Sequence, residues 1–80
     1  MNWRDYIHAD PAILAGKPVV RGTRLGVEFL LDLLASGWSP EQVLESYPHL
    51  RPEAIRAVFG FAAESMRDES FYSLSLAAAD

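Results

Sequence analysis

Prolines at positions 40, 48 and 52 divide the run from Val27 onward and limit what it can become. A proline has no N–H to give a helix interior, but at the first helical position that N–H would lack a partner anyway. Ahead of Pro40, the residues Val27, Leu30, Leu31 and Leu34 recur at i, i+3, i+4 and i+7. That spacing makes one apolar helix face, with Glu28 and Asp32 on the other. Gly37 suits the left-handed residue that ends such a helix. Ser39 and Gln42 form a capping box around Pro40, ahead of the buried stripe Val43, Leu44 and Tyr47. Pro48 stops this second helix after about two turns. Pro52 opens a third, with Glu53 placed favourably near its positive N-terminal end. Ile55, Val58, Phe59, Ala62 and Met66 form its apolar face. The pattern predicts helices over about 26–36, 40–47 and 52–68.

Residues 1–26 have no helical period. The runs "YIH" and "PVVR" are short and β-prone, and "HADPAILAGKP" between them reads as a loop. Two or three short strands are expected here, paired within the chain or across a dimer. Together these elements make a mainly α fold: a trihelical helix-turn-helix of homeodomain-like or winged-helix-like type with a short N-terminal β element. Residues 1–69 read as the domain, with a β-arm at 1–26, and residues 70–80 as a C-terminal tail.

The chain has 80 residues, half of them hydrophobic. A chain this short buries only about 60–65% of its unfolded surface, so its core is thin and apolar surface is left over. A homodimer is the expected remedy, with Trp3 and Tyr6 near its interface. There are no cysteines, which excludes a disulfide scaffold and a thiolate zinc site. The N-terminal residues lack the apolar core of a signal peptide, and the longest apolar run is broken by Glu28 and Asp32. The expectation is a soluble cytoplasmic protein with no membrane role.

The net charge is -4, unevenly spread: +2 over residues 1–26, -4 over 27–50 and -2 over 51–80. The basic end centres on "GKPVVRGTRLG", with Lys17, Arg21 and Arg24. These three, with Arg51 and Arg56 at the start of the third helix, are the candidate DNA contacts, because a local basic end can face phosphate even on an acidic body. The competing reading for Arg21 and Arg24 is structural: a guanidinium bracing the loop through carbonyls, or paired with Asp10 or Glu28. "AGKP" lacks the glycine spacing and the Ser or Thr of a phosphate-binding loop. His8 and His49 lie in different regions, so no metal or cofactor is expected. With no cysteine and no set of His, Asp and Ser, no catalytic residue is assigned and an enzyme is not expected. In the tail, Phe71, Tyr72, Leu74 and Leu76 are candidate partner contacts, since an uncharged apolar segment can order on a partner.

The segment from Asp10 to Ala62 resembles domain-of-unknown-function family 433. Asp10-Pro11, Gly16-Lys17-Pro18, Arg21-Gly22-Thr23-Arg24, Gly37, Tyr47-Pro48 and Ile55 carry the resemblance. Ala15 departs from it, where the family often has glycine, and so does Arg51, where it prefers a capping threonine. The resemblance implies a prokaryotic source, a small helix-turn-helix domain and self-association. Short members are similar to VapB-type antitoxins encoded beside a PIN-like ribonuclease toxin. The expected function is therefore the antitoxin of a type II toxin–antitoxin system, which binds operator DNA to regulate itself and neutralises the toxin. The alternative is a small homodimeric protein-interaction module with no DNA role.

Overall fold

The computed structural model describes residues 1–67. A 3-10 turn at Trp3–Asp5 leads into strand β1 (Ile7–Ala9), and a second at Leu14–Gly16 leads into strand β2 (Pro18–Val20). Helices α1 (Val27–Ala35), α2 (Pro40–Ser46) and α3 (Pro52–Ser65) follow. The two strands pair antiparallel, Ile7 opposite Val20 and Ala9 opposite Pro18. A single bridge from Val19 to Gly26 then ties the sheet to the start of α1. The β-arm is thus satisfied within the chain, and of the two pairings left open by the sequence the intramolecular one is realised. No helix among the described residues is long and apolar enough to cross a membrane.

α1, α2 and the start of α3 lie where the local signals put them. The capping box is complete: Gln42 N donates to Ser39 Oγ, and Ser39 N donates to Gln42 Oε1 at 2.8 Å. Gly37 has φ +102°, a conformation that a side chain resists. Pro52 occupies the first turn of α3, and no side chain caps that helix at Arg51. α3 ends at Ser65, a few residues before the expected limit.

The core joins Ile7 and Val20 of the sheet, Val27 and Leu30 of α1, Val43 of α2, Leu50, and Ala54, Ile55, Ala57 and Val58 of α3. One expectation fails here. Phe59 and Met66 lie outside the core, 48% and 62% exposed, while Ala54 and Ala57 are fully buried. The face of α3 that packs inward is rotated toward its alanines. Small side chains at Ala54 and Ala57 let α3 pack closely against its neighbours. Trp3 takes the far end of this helix, with its ring edge-on to Phe61 at 5.0 Å. Its Nε1 donates to Glu64 Oε2 at 2.9 Å, and Arg4 Nη2 donates to the same oxygen at 3.0 Å. Trp3 is therefore engaged within the chain.

Candidate nucleic-acid interface

Arg21 follows β2, and its side chain turns back across the arm. Nε and Nη2 both donate to the Arg4 carbonyl at 3.3 Å. Nη1 lies 3.3 Å from His8 Nδ1, which accepts because a guanidinium can only donate. The bracing role is realised, with Arg4 and His8 as partners in place of Asp10 or Glu28. A guanidinium has more N–H donors than these contacts use, so the same side chain can still meet an anion.

Antiparallel pairing brings the end of β2 against the turn between α2 and α3. There Arg21, His49 and Arg51 line one open hollow of about 300 Å³ with Asp5, Tyr6 and Ala54. Two of the five basic candidates, Arg21 and Arg51, are thereby brought together from positions 30 apart in the sequence. Lys17 lines a different, apolar cleft. Arg24 and Arg56 are exposed, and their side chains make no hydrogen bond or ion pair among the described residues. Phe71, Tyr72, Leu74 and Leu76 lie outside the described residues.

Charge around the hollow is divided. The arm and the start of α3 supply the bases. α1 carries Glu28 and Asp32 and α2 carries Glu41 and Glu45, with no base on either. Asp5 lines the hollow beside Arg21 and Arg51, so the hollow itself carries charge of both signs. The exposed start of α3 presents Arg51, Glu53 and Arg56.

Two features escape the sequence pattern. His49 joins the hollow only because β2 ends beside its turn. The second is apolar. Leu14, Phe29, Leu31 and Phe61 line a cleft of about 780 Å³ over Gly26 and Val27, with Lys17 and Glu28 also on its wall. Leu31 also lines a second hollow, which runs on to Leu34, Trp38 and Phe59. Leu14 reaches its place through a backbone with φ +49°, and Ala15 follows at φ +56°. The family's preference for glycine at 15 was the one signal of this geometry in the sequence.

A family model described as "Protein of unknown function (DUF433)" matches residues 7–62. Among curated proteins, "Uncharacterized protein y4eO" of Sinorhizobium fredii (strain NBRC 101917 / NGR234) is 45% identical over 53 residues, which cover 66% of this chain and 24% of that protein. The chain thus spans about a quarter of that relative's length. No solved structure matches the chain at a significant level.

Proposed function

The chain belongs to the DUF433 family, and from that premise we propose that it is a DNA-binding antitoxin of a type II toxin–antitoxin system. α2 and α3 serve as the helix-turn-helix, with α3 entering the major groove. The observation that carries this reading is the hollow where Arg21, His49 and Arg51 converge at the first turn of α3. Phosphate contacts of this kind position a recognition helix on the duplex without reading sequence. The acids of α1 and α2 keep the affinity of one copy modest. The toxin is a PIN-like ribonuclease, which the protein masks through residues 70–80.

The test is a mobility shift with a duplex from the protein's own upstream region, followed across salt. Arg51→Ala and Arg56→Ala should weaken binding for all sequences and flatten the salt slope by about 0.9 for each phosphate no longer neutralised. Arg21→Ala should weaken binding too, but it also loosens the arm, so its effect is read beside its thermal unfolding. Deleting residues 70–80 should abolish capture of the neighbouring gene product and leave the DNA shift intact. A second reading is favoured by the apolar cleft: a homodimeric interaction module without a DNA role. No shift at low salt, with the fold intact, decides for that reading.

A further inference from the structure

We propose that the cleft between the Leu14–Gly16 turn and α1 is the surface on which a second copy of this chain docks, related by a two-fold axis. The proposal stands on the described apolar face and does not depend on DNA binding.

The first observation is what the cleft exposes. Leu14 is 48% and Phe29 43% exposed, and both line one concave surface with Leu31 and Phe61. Through Leu31 the surface continues toward Trp38 and Phe59, which are also exposed. Single exposed apolar side chains are ordinary, but a contiguous apolar surface on a small domain marks an interaction site.

The second observation is strain. Leu14 and Ala15 both hold left-handed backbone, at φ +49° and +56°, before Gly16 at φ +84°. Side-chain-bearing residues avoid this region, and consecutive ones are held there only by their surroundings. The conformation does not bury Leu14. It holds that side chain over Gly26, at the mouth of the cleft, where a Cβ on Gly26 would come within 3.1 Å of Leu14 Cδ1.

The third observation selects the occupant. One cation, Lys17, and one anion, Glu28, line the same apolar cleft. Neither is ion-paired among the described residues, where Arg4–Glu64 is the salt bridge formed. A mostly apolar cleft lined by one charge of each sign can complement a second copy of itself. A two-fold axis through it sets Lys17 of each copy against Glu28 of the other, as an isologous interface requires.

The experiment uses the full chain in sedimentation velocity, with circular dichroism of each variant as the folding control. The wild type should sediment as a dimer at tens of micromolar. Leu14→Asp should be monomeric and folded, because Leu14 is half exposed and aspartate tolerates left-handed backbone. Lys17→Glu alone and Glu28→Lys alone should each weaken self-association by roughly tenfold, since each sets like charges opposite one another. Mixing these two variants should restore a dimer containing one of each, because both cross-contacts are then of opposite sign. A folded wild type that stays monomeric at about 100 micromolar overturns the proposal. Failure of the mixed variants to associate overturns it as well. So does a chain that dimerises only once residues 70–80 are deleted, since the cleft is then covered by the chain's own segment.

Discussion

The N-terminal arm and the three helices are held by different forces. In the helices, apolar side chains disappear from solvent: Leu30, Val43, Ala57 and Val58 are all 0% exposed. The arm buries Ile7, Val19 and Val20, but polar fastenings set its shape. Arg21 holds the Arg4 carbonyl, and Asp10 Oδ1 accepts from Ala12 N. Thr23 Oγ1 donates to the Val20 carbonyl and accepts from Leu25 N. A helix satisfies its own backbone, so its side chains are free to pack. A short irregular arm cannot, and its side chains must supply the missing partners. That is why "RGTR" serves structure and charge together. Its bases are the electropositive end of an acidic chain, and one of them is also a strut.

The largest effect is expected in the helical core. Leu30→Ala should cost about 2–5 kcal/mol, lowering Tm by at least about 10 °C in thermal unfolding, because the small core cannot collapse around the void. Next come two polar deletions of similar size, one in each region. Ser39→Ala removes half of the capping box and should cost about 1 kcal/mol. Thr23→Ala removes two hydrogen bonds of the arm and should also cost about 1 kcal/mol. Hydrogen exchange separates them: Thr23→Ala should deprotect Leu25 N–H while α2 stays protected, and Ser39→Ala should do the reverse. If both variants deprotect the whole domain equally, the arm and helices unfold as one unit and the distinction is only geometric. The smallest effect belongs to the Arg4–Glu64 pair, whose side chains are 60% and 43% exposed. Glu64→Gln should change stability by less than about 1 kcal/mol, and high salt should erase most of that difference.

Much of this was legible from neighbours in sequence. Gly37, Ser39-Pro40-Gln42 and Pro52 mark helix ends because a cap acts over a few residues of backbone, and those residues are adjacent in any fold. Val27, Leu30 and Val43 are buried as their spacing requires. The paired strands were legible as strands, but not their choice of partner. The candidate site was legible in part. Arg21 and Arg51 were marked by charge, but their meeting beside His49 depends on β2 ending against the α2–α3 turn. The apolar cleft was marked locally only at Ala15, where the family's preference for glycine signals the strained turn on its wall.

The number of helices, the ends of α1 and α2, the start of α3 and the uneven charge follow from the order of residues alone, since each depends on groups about a turn apart. Three things required the packed fold: which face of α3 turns inward, where Arg21 anchors, and why Leu14 is held in strained backbone over Gly26. α3 is apolar on more than one side, with Ala54, Ala57 and Phe61 on one and Phe59 and Met66 on another. Periodicity cannot rank two apolar faces. Close packing can: it buries Ala54, Ile55, Ala57 and Val58 and leaves Phe59 exposed.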